Sequence, residues 1–207
     1  MPSIGNSLSG PLFLPLVLIA TLLIPMLQAL QNRNSHPRLT EPAPTAAELE
    51  QILLAGLRAP DHGRLRPWEF VAVSGERRHS LGEIFERSLL MTKPEASAAE
   101  QEKARHAPLR APLIVAGLLK PKVHPKVPRV EQVAAVDCAL HGMLLAAESL
   151  GYGGVWRTGT YARDPSVISA LGGEPGDEIV GFLYIGTREG ESKPLPEEKV
   201  ASFFRQY

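Results

Sequence analysis

An α+β domain is what this sequence predicts, on three observations. Residues 113–119 (LIVAGLL) and 179–185 (IVGFLYI) have the length and aliphatic content of buried strands. Residues 68–73 (WEFVAV) form a third such run, closed by the turn signal Ser74-Gly75. Around these runs, about five segments carry apolar residues at helical spacing, and the total is three or four strands with about five helices.

Local signals justify each element in turn. Pro42 and Pro44 precede a helix that opens at Thr45, and Glu48 three residues later completes a capping-box spacing. Ile52, Leu53 and Leu57 then recur at helical intervals until Pro60 closes the run. After the strand at 68–73, residues 77–90 read as a helix. The Ala/Glu/Lys-rich stretch 92–105 is expected to be exposed, a candidate mobile lid. A Pro/Lys-rich loop (PKVHPKVPR, 121–129) follows the strand at 113–119. A long helix over 130–150 then places Val133, Val136, Leu140, Met143, Leu144 and Ala147 on one broad face, with Gly151 at its C-terminal stop. A short helix at 164–171 and the strand at 179–185 complete the chain, and no internal repeat is visible.

The 207 residues suffice for one domain with a sizeable core. Lys and Arg number 22 and Asp and Glu number 22, so the basic field expected of a nucleic-acid binder is missing. A single cysteine, Cys138, excludes an intrachain disulfide and a cysteine-rich zinc site. None of the charged residues precedes Arg33, which sets the start of the chain apart.

Residues 11–30 (PLFLPLVLIATLLIPMLQAL) are long enough to cross a bilayer core, yet Pro11, Pro15 and Pro25 interrupt them. A signal peptide fits less well, since no basic residue precedes the apolar run. Two readings stay open: a membrane anchor, or an extension upstream of a functional start at Met26. The expected division is therefore an apolar extension over 1–25 and a domain over 26–207, with residues 1–25 dispensable. A cytoplasmic location is expected. The alternative is an inner-membrane anchor whose following basic residues, Arg33 and Arg38, keep the domain on the cytoplasmic side.

Familiar catalytic patterns are missing. The six histidines show no metal-ligand spacing, no G-x-S-x-G elbow occurs, and neither phosphate-loop pattern is present. Cys138, mid-helix among apolar residues, reads as a small core residue, and His141 receives no role. Three polar clusters remain: Arg33-Asn34-Ser35 with Arg38, Arg58-Ala59-Pro60-Asp61-His62, and Trp156-Arg157-Thr158-Gly159. Arginines and hydroxyls suit a phosphorylated ligand, and a tryptophan suits a planar ring. Surface ion pairs, including Arg38 with Glu41, and a core position for Trp156 explain the same residues equally well.

The stretches NRNSHPRLTEPAP (32–44), LRAPDHGRLRPWEFVAV (57–73), ARHAPLRAPLIV (104–115), HPKVPRVEQ (124–132), LGYGGVWRTG (150–159) and VGFLYIGT (180–187) resemble the nitroreductase family. The resemblance covers nearly all of residues 26–207. It implies a central, mostly antiparallel sheet flanked by helices, in a homodimer that binds FMN at the subunit interface. It further implies NAD(P)H as reductant and a nitro-organic, quinone or similar small molecule as acceptor. Carried over by position, Arg33, Asn34 and Ser35 would hold the FMN phosphate and ribityl chain. Arg58 and His62 would reach the flavin, one or both across the interface, although His62 could instead cap the next turn. Trp156, Arg157 and Thr158 would line the site and place backbone donors near it, and Ala146, Ala147, Glu148, Ser149, Leu150 and Gly151 would lie near the nicotinamide nucleotide. Asn34 stands where relatives often carry a second basic residue. Arg58 or Arg38 is the candidate for positive charge near the flavin's pyrimidine edge. A catalytic acid–base pair is not expected, because the flavin performs the chemistry. The rival reading is a membrane-tethered flavin-binding or redox-sensing module without turnover of its own.

Overall fold

The computed structural model describes residues 27–207; the proline-interrupted run up to Met26, and with it the expected boundary, lies outside the described residues. Residues 27–32 are helical and belong to a first unit that ends at Asn32. The second unit, Arg33–Tyr207, begins at the first charged residue and holds all that follows.

Five strands make one antiparallel sheet: β1 (Leu39–Thr40), β2 (Trp68–Ser74), β3 (Leu113–Leu119), β4 (Gly153–Arg157) and β5 (Glu178–Arg188). The spatial order is β1-β5-β3-β2, and β4 also pairs with β5. β3 is buried at all seven positions because both sheet faces are covered. Its residues alternate between two cores. Ile114, Ala116 and Leu118 join Leu81, Phe85, Phe182 and Tyr184 on one face. Leu113, Val115 and Leu119 join Ile52, Val136, Leu140 and Met143 on the other.

The helices are α1 (Ala46–Gly56), α2 (Arg77–Thr92), α3 (Ala98–Arg105), α4 (Arg129–Ser149) and α5 (Pro165–Ala170). Thr45 and Glu48 form the expected capping box at α1. α4 buries Val136, Leu140, Met143, Leu144 and Ala147, as its periodicity requires, with Val133 partly buried. Gly117 lets α4 approach β3, since a Cβ there would sit 2.8 Å from Leu140 Cδ2. Among the described residues α4 is the one helix long and apolar enough to cross a membrane, yet 44% of its most apolar window is buried in the fold.

The structure corrects three expectations and adds one element. Residues 98–105 are not a loose lid but α3, nucleated by a second capping box, Ser97 with Glu100. Helix α3 is held to α2 by Arg105, whose Nε donates to Glu86 Oε2 at 2.9 Å. Cys138 is exposed rather than in the core, because α4 turns it away from the residues at 136, 139 and 140. Leu57 caps α1 and is 49% exposed. The Gly-rich segment after α4, to which no element was assigned from sequence, is strand β4, whose glycines pass close to other groups: a Cβ on Gly154 would collide with Leu144 Cδ1.

The box at α3 makes stability pH-dependent. The Lys93 ammonium, 2.7 Å from Glu100, and the Ser97 amide and hydroxyl hold Glu100 at about 2 against the ordinary 4.5. A carboxyl depressed on folding stabilises above its unfolded value, and that contribution is lost as pH falls from about 4.5 to about 2. Urea midpoints measured across this window are expected to fall less steeply in Lys93→Met than in the parent. Identical slopes would remove the assignment.

Candidate functional site

The structure distributes the sequence-derived residues over three places. In the first, residues 33–36 run beside the C-terminal end of α4. The His36 amide donates to the Gly154 carbonyl at 3.0 Å, which ties this segment to β4. Asn34 turns its side chain back into the chain: its Oδ1 accepts from the Ser35 amide at 2.9 Å, and its Nδ2 donates to the Lys193 carbonyl at 2.6 Å. Arg33 lies close enough to act on both His36 and Glu148, and Arg188 at the end of β5 does the same. Burial pushes the His36 imidazole down, and the two guanidiniums add to the shift. Burial pushes the Glu148 carboxyl up, against the pull of Arg188, Arg33 and the Asn34 amide.

The six residues at the end of α4 offer little to a ligand. Ala147 is fully buried, and the carbonyls of Ala146, Ala147 and Glu148 accept from the amides of Leu150, Tyr152 and Gly151. The Ser149 hydroxyl donates to the Leu145 carbonyl. Glu148 Oε1 is the exception, buried without a hydrogen-bond partner.

The second place is the turn after α1. Arg58 lines a cleft of about 320 Å³ with Asp61, Arg64, Arg66 and Trp68. His62 begins a short 3-10 turn and pairs through Nδ1 with Glu131 Oε2 at 2.5 Å, in the first turn of α4. Arg64 and Arg66 hold φ of 52° and 47°, left-handed values uncommon for arginine, and Asp61 Oδ2 secures the turn by accepting from the Arg66 amide at 2.7 Å. Arg38, also considered for this role, does not take Glu41 as its partner; Glu41 lies 4.0 Å from Arg78.

The third place is a cavity of about 590 Å³ at the end of β4, bounded by α2, α3, the 3-10 turn Ala107–Arg110 and β5. Trp156, Arg157 and Thr158 line it. The Trp156 indole packs over Gly181, where a Cβ would fall on its Nε1. The Arg157 guanidinium lies 5.6 Å from the Tyr184 ring centroid, and its Nε is buried without a hydrogen-bond partner. Burial pushes Tyr184 up to about 12, so its hydroxyl stays protonated at neutral pH. Lys103, Arg110, Tyr161 and Tyr184 line the same cavity and were not singled out from sequence, and neither was Arg188.

A single chain thus joins the first place to the third through β4. The cavity's lining does not include Arg58 or His62. Chemically, the chain offers two arginines and a hydroxyl at one end of a strand, and an aromatic cavity with an unpartnered guanidinium at the other.

The fold agrees with a known class. Residues 30–187 match the sequence profile of the nitroreductase family. The chain belongs to that family. It is 44% identical over 161 residues to the Escherichia coli (strain K12) protein named "Putative NAD(P)H nitroreductase YdjA", covering 78% of this chain and 87% of the relative. It is 33% identical over 165 residues to a Haemophilus influenzae protein named "Putative NAD(P)H nitroreductase", with the same coverage. Among solved structures, a nitroreductase-like family protein from Bacillus cereus superposes with a TM-score of 0.75 over 88% of this chain and 95% of that one, at 22% identity. A Bacteroides fragilis nitroreductase with bound FMN gives 0.68 over 88% and 98%, at 24% identity. At such identities the two structures establish the fold.

Proposed function

We propose that the chain is an FMN-dependent NAD(P)H oxidoreductase that works as a homodimer and reduces a nitro-organic, quinone or similar small acceptor. The observation that carries this reading is the span of β4. Its Gly154 carbonyl is bonded by the segment bearing Arg33 and Ser35, and its far end, Trp156 to Thr158, opens into the aromatic cavity. Three strand residues cover about 10 Å, a reach suited to a ribityl phosphate chain with its phosphate at one end and a planar ring at the other. The FMN in the Bacteroides fragilis relative and the NAD(P)H in the Escherichia coli relative's name support the same pairing of cofactor and reductant.

The residues fit the cofactor. Arg33, with the Ser35 hydroxyl, receives the phosphate, and Arg188 adds positive charge there. Asn34 serves by shaping the turn, since its side chain is spent on Ser35 and Lys193. When bound, FMN supplies the hydride chemistry. Arg157 holds a fixed positive charge at the ring end, and Trp156, braced by Gly181, fixes the path of the strand. Arg58 and His62 reach the flavin of the partner subunit, which accounts for their separation from the cavity in one chain. Phe203 and Phe204, 80% and 66% exposed, are apolar surface that a second subunit would cover.

The test is the visible spectrum of the purified protein with and without NAD(P)H, together with its size in solution. A yellow dimer with about one FMN per chain, bleached by NAD(P)H and turning over with an added acceptor, is expected. A colourless monomer indifferent to FMN would end the reading. Bleaching without turnover would favour a redox-sensing module.

A further inference from the structure

We propose that the cavity at the end of β4 selects acceptors carrying a carboxylate on an aromatic ring, with Lys103 and Arg110 as the groups that receive the carboxylate. The inference rests on the flavin reading above and names the substrate class of the same site. At about 590 Å³ the cavity falls within the range of small-molecule sites. Its walls are of two kinds. Phe182 and Tyr184 of β5 are the buried floor, and the partly exposed Leu89, Trp156 and Tyr161 supply the apolar surface on which a planar molecule can lie. Lys103 from α3, Arg110 from the following 3-10 turn and Arg157 from β4 supply three positive charges.

Among the described residues, no carboxylate lies within 4.0 Å of any of these three cations. Glu100 also lines the cavity, but its carboxylate is taken by Lys93 at 2.7 Å and by the Ser97 hydroxyl at 2.9 Å. The cavity therefore holds a positive excess that the protein itself does not neutralise. Arg110 acts on both Tyr161 and Tyr184, and Arg157 on Tyr184, so the two guanidiniums serve one aromatic surface. Arg157 stands on the strand segment assigned to the flavin. Lys103 and Arg110 come from the helical wall, where the far end of a stacked acceptor would lie. A neutral ring gains only stacking there, whereas a ring bearing a carboxylate also gains charge-assisted hydrogen bonds.

The test compares 4-nitrobenzoate with 4-nitrobenzamide, which differ little except in charge, and measures binding of unreactive benzoate and benzamide by tryptophan fluorescence on the flavin-loaded protein. The parent is expected to favour the nitrobenzoate about tenfold or more in kcat/KM, through KM, as one charge-assisted contact provides. The pair Lys103→Met with Arg110→Met should bring that ratio to within about twofold of unity, weaken benzoate binding by a similar factor, and leave the amides unaffected. Arg110→Lys, which keeps the charge, should retain most of the preference, and raised salt should compress it because both cations are exposed. A parent that does not distinguish the two acceptors overturns the proposal. So does a double variant that keeps the ratio and instead raises KM for NADPH or NADH, since the cations would then serve the dinucleotide's phosphates. A flavin-loaded, active enzyme without charge preference sinks this inference alone. A protein that holds no flavin sinks the reading beneath it, whatever benzoate does.

Discussion

Arg33→Ala is expected to lose FMN affinity about ten- to hundredfold and to regain turnover when the flavin is supplied in excess. The argument starts from position. Arg33 acts on His36 and Glu148 at the end of α4, whereas Trp156 to Thr158 open into the cavity at the other end of β4. A charge at the phosphate end stabilises the complex and has little purchase on events at the ring. One charge-assisted hydrogen bond is worth roughly 1.5–3 kcal/mol, which is the stated range of affinity. Arg188 remains beside the same groups, so the lower part of the range applies if it shares the phosphate. Arg157→Ala and Arg58→Ala should behave differently, with a rate defect that added FMN does not repair. FMN titration of all three variants, with turnover at saturation, separates the cases. Normal FMN binding in Arg33→Ala, or turnover that stays low with the site filled, would remove residues 33–35 from the cofactor site.

Where chain-local physics decides, the sequence was legible. The box at Thr45 and Glu48, the stop at Ser74-Gly75 and the wholly buried strand at 113–119 each depend on neighbours within a few residues, and each stands in the structure where the pattern placed it. The misses have one physical origin, which is tertiary context. Strand β4 was hidden because its two glycines signal a turn, yet they are there so that Leu144, Leu39 and Arg188 can approach the backbone. Helix α3 has a low apolar content that suggests a mobile surface segment, but the Ser97 and Glu100 box was available in the sequence and would have found it.

The site was legible in part for the same reason. Arg33, Arg58 and Arg157 could be proposed from resemblance, whereas Lys103 and Arg188 lie just outside the quoted stretches, and Arg110, inside 104–115, carries no local signal of a site; they meet the others only after folding. Arg58 and His62 illustrate the opposite case. Their roles came from resemblance alone, and in a single chain His62 is engaged with Glu131. Their proposed contact with a partner subunit's flavin is what the Arg58→Ala titration tests.

Phe85→Ala is expected to lower the unfolding temperature by about 6–20 °C. Phe85 is 1% exposed and lies on α2, facing the sheet. Its ring stacks on Tyr161 with centroids 4.1 Å apart and planes 5° from parallel, and it meets Phe182 edge-on at 5.7 Å. These three rings join α2, the turn after β4 and β5 into one wall of the cavity. Truncating a buried phenylalanine to alanine costs about 3–5 kcal/mol, and in a protein of this size each kcal/mol corresponds to about 2–4 °C. The cavity already borders Phe85, so the new void merges with existing space and relaxes less by collapse of its neighbours. Phe85→Leu refills part of the volume but not the ring contacts, and should cost less than Phe85→Ala. The same substitution should also affect the site, because Tyr161 loses its stacking partner and the wall beside Arg157 loosens. Calorimetry of the two variants, with the charge preference of the acceptor pair measured on each, checks both parts. If Phe85→Ala melts within 2 °C of the parent, the aromatic stack does not hold α2 to the sheet, and the cavity's shape must be set by the Arg105 and Glu86 pairing of α3 with α2 instead.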